Sequence, residues 1–215
     1  MSKYKCVIFD CDGVLIDSET IAIGVLVAMA NKLGANMPVE QSVIDLKGKS
    51  LNSCMALISD LIGKPLPDTF EADYRTNTFK AFRAEIQPIK GVREVIEALN
   101  IPFCVASSGP ENKIRLNLEV TGLLPFFENR IFSCYALQKW KPDPAVFLWA
   151  VETMGFTPEE CLVIEDSLSG VQAAKAGGFD VFAYTEYGTT HEIETLATKT
   201  FSKMSDLLGL IEEDK

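Results

Sequence analysis

The sequence predicts an α/β protein built on a doubly wound parallel sheet, with a helical segment inserted after the first strand. Three observations lead there. Apolar runs of strand length recur at residues 6–9, 103–106, 131–133, 161–164 and 181–184. Helical stretches separate the later runs, so both faces of the sheet are covered and the strands read as continuously apolar. Between residues 15 and 85 no strand pattern occurs, and helix-like stretches at 20–33, 39–46, 50–62 and 68–82 are broken at Gly34, Gly48 and Gly63.

Taken in order, the first strand runs into Asp10, and the helical insertion that follows is expected to span 16–85, leaving 1–15 and 86–215 as the sheet-bearing domain. An insertion at that point reads as a lid over the carboxyl ends of the strands. The chain returns through Gln87-Pro88-Ile89-Lys90-Gly91, a second hinge. The strand at 103–106 is followed by Ser107-Ser108-Gly109 and a helix opening at Pro110. Pro144 suits the first turn of a later helix that Asp143 is able to cap. Gly177-Gly178 closes the helix after Ser169.

Composition narrows the function classes. Hydrophobic residues make up 47% and charged residues 23%, which is an ordinary globular balance. The formal net charge of -10, with no basic stripe against it, repels polyanions, so nucleic acid is excluded as a partner. An anionic substrate would have to be held by a few local cations, backbone N–H groups or a metal. The six cysteines are scattered without a C-x-x-C pair, which fits reduced thiols and a cytoplasmic setting. The uncharged stretch 20–31 is too short to span a bilayer, so no membrane association is expected.

Four clusters carry chemistry. In Val7-Ile8-Phe9-Asp10-Cys11-Asp12-Gly13 a buried strand ends in two carboxylates, two positions apart, before a glycine able to turn tightly. Two such carboxylates repel unless a proton or a cation intervenes. Leu162-Val163-Ile164-Glu165-Asp166-Ser167 ends a second strand in acid. Because parallel strands share one carboxyl edge, Asp166 is able to meet Asp10 and Asp12 there, and converging carboxylates call for a hard divalent cation such as Mg2+. Ser107, Ser108 and Gly109 offer a hydroxyl and backbone donors at a helix start, which suits a phosphoryl oxygen. Lys141, in Trp140-Lys141-Pro142-Asp143-Pro144, is presented from a proline-stiffened turn. Each cluster also has a plainer reading: an acidic turn, a helix cap, a serine cap and a solvated lysine.

Together, Asp10-Cys11-Asp12-Gly13, Ser107, Lys141-Pro142 and Glu165-Asp166, in this order, resemble the four motifs of the haloacid dehalogenase superfamily. The resemblance spans nearly the whole chain. The insertion is similar to the small helical cap of the β-phosphoglucomutase and phosphatase branch, on a Rossmann-like core. It implies a magnesium-dependent phosphatase acting on a small phosphorylated metabolite, in which Asp10 is the nucleophile and Asp12 the acid and base. Asp10, the Asp12 backbone carbonyl and Asp166 would hold the metal, with Glu165 in or beside its coordination shell. Ser107 and Lys141 would hold the phosphoryl group.

The same resemblance assigns substrate recognition to Lys47 or Lys49, in a loop between two helices of the insertion, with Ser18 and Glu19 at its entrance. Ser108, Gly109 and Asn112 are further substrate-binding candidates. A sugar phosphomutase is the main alternative, but where that branch carries a histidine and an arginine in its cap this chain has Ala22 and Leu51. The stretches Ser108-Gly109-Pro110 and 133–144 are also similar to bacterial phosphatases acting on 6-phosphogluconate. A receiver-type phospho-acceptor module has no helical insertion, and a dehalogenase lacks the second aspartate. A monomer is expected. His191 is expected at the surface or a helix start, Cys11 packed inside, and Glu212-Glu213-Asp214 in a solvated tail.

Overall fold

Each apolar run becomes a parallel strand in the computed structural model, which describes residues 3–46, 49, 51–186 and 188–213. Strand β1 (Cys6–Phe9) leads to four helices, α1 (Glu19–Lys32), α2 (Val39–Leu46), α3 (Leu51–Ile62) and α4 (Phe70–Glu85). There follow α5 (Val92–Ala98), β2 (Phe103–Ser107), α6 (Glu111–Val120), α7 (Leu124–Phe127), β3 (Ile131–Ser133), α8 (Cys134–Leu137) and α9 (Ala145–Met154). The chain ends with β4 (Cys161–Glu165), α10 (Leu168–Ala176), β5 (Asp180–Tyr184), α11 (His191–Leu196), β6 (Lys199–Phe201) and α12 (Leu207–Glu213). It divides into two compact units, Met1–Ile16 with Gln87–Lys215, and Asp17–Ile86.

In the first unit the strand order is β3-β2-β1-β4-β5-β6, and every neighbouring pair is parallel. Strand β1 lies between β2 and β4, with Val7 opposite both Phe103 and Leu162. The chain winds outward in opposite directions from β1, so the switch point falls between β1 and β4, where a doubly wound sheet opens a crevice at its carboxyl edge. Both faces are covered, which is why β1, β2 and β4 are buried throughout. Cys6, Ile8, Cys104, Ala106 and Val163 pack with Phe147, Val171 and Phe179 on one face. On the other, Phe9 meets the ring edges of Phe103 and Phe127 at 6.2 and 6.4 Å.

Three readings are corrected. The sixth strand, Lys199–Phe201, was not expected; it is a short sheet edge with a lysine at its start and buries only Phe201, so no apolar run marks it. Glu212 and Glu213 are exposed but close α12, anchored by buried Leu207 and Ile211, rather than trailing as a tail; Asp214 lies outside the described residues. Pro110 and Pro144 stand one residue before their helices, and the Asp143 carboxylate accepts from the Ala145 N–H at 2.9 Å. His191 is exposed at the start of α11, and Cys11 is buried.

The second unit is helical. Ile23, Leu26, Val27 and Ala30 form one stripe of α1 at spacings of three and four, buried with Leu46, Cys54, Ile58 and Phe70. All six cysteines are free and buried. No helix among the described residues is long and apolar enough to cross a membrane.

Candidate active site

The carboxyl ends of β1, β2 and β4 converge because the ladder between β1 and β4 runs one residue further: the Asp10 N–H donates to the Ile164 carbonyl at 2.9 Å. Asp10 is thereby held beside Glu165 and Asp166. One carboxylate oxygen from each of the three lies within 4.8 Å of the others. Lys141 reaches between them, donating to Asp10 Oδ1 at 2.6 Å, to Glu165 Oε1 at 2.7 Å and to the Ala106 carbonyl at the end of β2 at 3.1 Å. The ammonium also lies 4.7 Å from the centre of the Phe147 ring.

This triad is dry: the side chains of Lys141 and Asp10 are 3% and 9% exposed. Burial pushes the Asp10 carboxyl up from 3.8 to about 7, with Glu165 and Asp12 adding to the rise and Lys141 opposing it. Burial works against the Lys141 charge too, yet Asp10 and Glu165 outweigh it and raise the ammonium above the ordinary lysine value. The buried lysine is therefore a fixed cation.

Glu165 is fully enclosed and satisfied on both oxygens. Its Oε2 accepts from the Asp166 N–H, the Ser167 N–H and the Ser167 hydroxyl at 3.0, 3.0 and 2.9 Å. The Ser167 hydroxyl also caps α10 by accepting from the Gly170 N–H at 3.1 Å. Gly170 is glycine for a steric reason, since an added Cβ would overlap the Glu165 carboxylate. Gly13 has both reasons: its φ is +85°, and a Cβ there would overlap Asp166.

Asp12, half-buried, follows in the turn after β1. Lys113, in the first turn of α6, donates to both of its oxygens at 3.0 and 2.9 Å. A Cβ on Gly109 would stand 3.8 Å from Asp12 Oδ2 and 3.5 Å from Ser107 Oγ, so the loop after β2 closes on the same place. Ser107 is buried and accepts from the Gly109 N–H at 3.1 Å. The Gly109 carbonyl accepts from the Ser133 hydroxyl at 2.6 Å, which fixes this loop to the end of β3. Ser108 is exposed, 3.9 Å from the Cys134 thiol.

Asp10, Asp12, Ser107, Gly109, Lys141, Glu165 and Asp166 thus surround one locality, and Ser108 borders it. Asn112 is exposed and turned onto its own helix, its side-chain oxygen accepting from the Lys113 N–H at 2.9 Å. Ser18, Glu19 and Lys49 belong to the helical unit, where Ser18 is buried and Lys49 exposed. Lys47 lies outside the described residues. Lys113 was missed. Its one signal was a misfit: a lysine in a first helical turn opposes the helix dipole, and so requires a nearby anion. An oxygen-only carboxylate set of this geometry suits a hard divalent cation.

The haloacid dehalogenase-like hydrolase family model matches residues 7–184, from β1 to the end of β5. The chain belongs to that family. Within the haloacid dehalogenase-like hydrolases it is 33% identical over 209 residues to the 6-phosphogluconate phosphatase of Escherichia coli K12, covering 96% of this chain and 94% of that one. It is 27% identical to the phosphorylated carbohydrates phosphatase of Thermotoga maritima, over 88% and 87% of the two chains. A solved haloacid dehalogenase-like protein from Agrobacterium tumefaciens superposes with a TM-score of 0.87 at 27% identity, covering 98% of each chain.

Proposed function

We propose that this hydrolase is a phosphatase that removes phosphate from a small metabolite, a sugar phosphate or sugar-acid phosphate, through an aspartyl-phosphate on Asp10. The observation that carries the reading is the buried Lys141 ammonium bridging Asp10 and Glu165, with Asp166 in reach. A carboxylate at a strand end, backed by a fixed cation, is able to attack phosphorus, and its neighbours neutralise the charge on the transferring group.

In the first step an Asp10 carboxylate oxygen bonds to phosphorus, the ester P–O bond breaks, and Asp12 gives a proton to the departing alkoxide. In the second, Asp12 takes a proton from water as the water oxygen bonds to phosphorus and the Asp10–phosphorus bond breaks. The Ser107 hydroxyl donates a hydrogen bond to a phosphoryl oxygen, Lys141 neutralises charge on the same group, and Glu165 keeps Lys141 in place. Asp10, Asp166 and the Asp12 backbone carbonyl, with Glu165 beside them, would hold magnesium. Bound there, that ion supplies further charge neutralisation.

The relative named for 6-phosphogluconate favours that sugar acid as the first ester to try. The unit Asp17–Ile86 acts as the cap, and Lys47, Lys49, Ser18 and Glu19 contribute to leaving-group recognition. The absence of histidine and arginine at Ala22 and Leu51 favours hydrolysis over mutase transfer. The test is magnesium-dependent phosphate release from a metabolite panel by wild type and Asp10→Asn. The variant should lose at least about 1,000-fold in kcat; turnover surviving in it would show that a different group is attacked.

A further inference from the structure

Lys113 stands outside the buried triad and holds neither phosphate nor metal in the proposed mechanism, although its partner Asp12 serves there as acid and base and lends its backbone carbonyl to the metal. We propose that Lys113 is a positioning residue that sets the plane of the Asp12 carboxylate, so that Asp12 is aimed at the leaving-group oxygen. The inference rests on the assignment of Asp12 as the acid and base.

Three observations support it. Lys113 Nζ is nearly equidistant from the two carboxylate oxygens, at 3.0 and 2.9 Å, a geometry that restricts rotation of the carboxylate about its Cβ–Cγ bond. Both side chains are mostly buried, 27% and 30% exposed, so solvent competes weakly with the pair. Asp12 sits in the turn after β1 whereas Lys113 is on α6, which the Ser107–Gly109 loop ties to β2 and β3. The lysine thus refers the turn to a rigid frame.

Direct contact between Lys113 and the phosphoryl group would predict something different, and the two roles are separable by leaving group. A sugar alkoxide needs a proton from Asp12 as it departs; p-nitrophenolate does not. The experiment measures kcat/KM for 6-phosphogluconate, or the best alkyl ester of the panel, and for p-nitrophenyl phosphate in wild type, Lys113→Met, Lys113→Arg and Asp12→Asn.

For Lys113→Met the alkyl ester should fall by roughly 10- to 100-fold and the aryl ester by less than about threefold, with Lys113→Arg recovering most of the alkyl activity. Equal losses on both esters, or none on either, would overturn the proposal. Retained aryl activity reports that the variant is folded; should Lys113→Met not yield folded protein, Lys113→Gln supplies the same ratio. Asp12→Asn is the separate control. If it too fails to discriminate between the esters, the acid role of Asp12 is wrong; if it discriminates and the Lys113 variants do not, only the positioning role is lost.

Discussion

Lys141 is the residue on which the buried charges depend. Its ammonium bridges two carboxylates that would otherwise face each other without solvent. Lys141→Met should destabilise the metal-free protein by about 3–5 kcal/mol, the usual cost of stranding a buried ion partner, read as a lower urea midpoint at unchanged slope. Asp10 adds a pH dependence whose sign follows from its raised carboxyl. Because the folded chain holds that proton more tightly than the unfolded chain, Asp10 favours folding below its ordinary value of 3.8, and this is lost as pH rises through about 7. The loss is of order 2–4 kcal/mol. In urea titrations of metal-free protein between pH 5 and 8, wild type should lose stability more steeply than Asp10→Asn; parallel curves would refute the assignment. Asp10, Asp12 and Asp166 stood out in the sequence because each ends or follows an apolar strand, and Lys141 because two prolines stiffen its turn. Their contacts were not legible, and Lys113 escaped because its partner lies 101 positions away and its place in a first helical turn was the single local hint of an anion.

At the scale of elements, two helix-interior glycines invite opposite outcomes from one substitution. Gly24, inside α1, has open space where a Cβ would go. Gly24→Ala should therefore stabilise by about 0.5–1 kcal/mol, the helix-propensity gain alone. Gly170, inside α10, faces the Glu165 carboxylate. The same gain applies there, but the methyl displaces Glu165 from Lys141 and from its Ser167 donors, so Gly170→Ala should cost about 2 kcal/mol or more and depress activity as well. Thermal melts of both variants check the contrast; similar Tm shifts of one sign would contradict it. Sequence patterning located helices α1 to α4 because their apolar stripes recur every three to four residues. It could not place β6, whose Lys-Thr-Phe buries one side chain and gains its ladder only from β5.

For the molecule as a whole, the sheet was legible in the sequence because every interior strand is apolar on both faces, a pattern that only a sheet covered on two sides accounts for. Strand order was not, since pairing between β1 and β4 is decided by the crossover that brings the chain back from β3 and not by either strand. If the carboxylate cluster takes magnesium, binding should raise the melting temperature of the folded chain. A ligand at 100 times its Kd contributes about 2.7 kcal/mol, a shift of roughly 5–10 °C for a chain of this size. Asp166→Asn should abolish the shift, and an equal shift in that variant would place the ion elsewhere.

The order in which the chain is made gives the central position of β1 a further consequence. Its neighbours arrive at very different times during synthesis: β2 comes first, and Cys161, which lies opposite Cys6, only after β2, β3 and the helices between them. Until then one side of an entirely apolar strand has no ladder, and the aspartate following it lacks its acidic neighbours Glu165 and Asp166. A nascent chain therefore presents Asp10 well before its acidic neighbours, and until β4 docks it is the species most exposed to aggregation and to capture by chaperones.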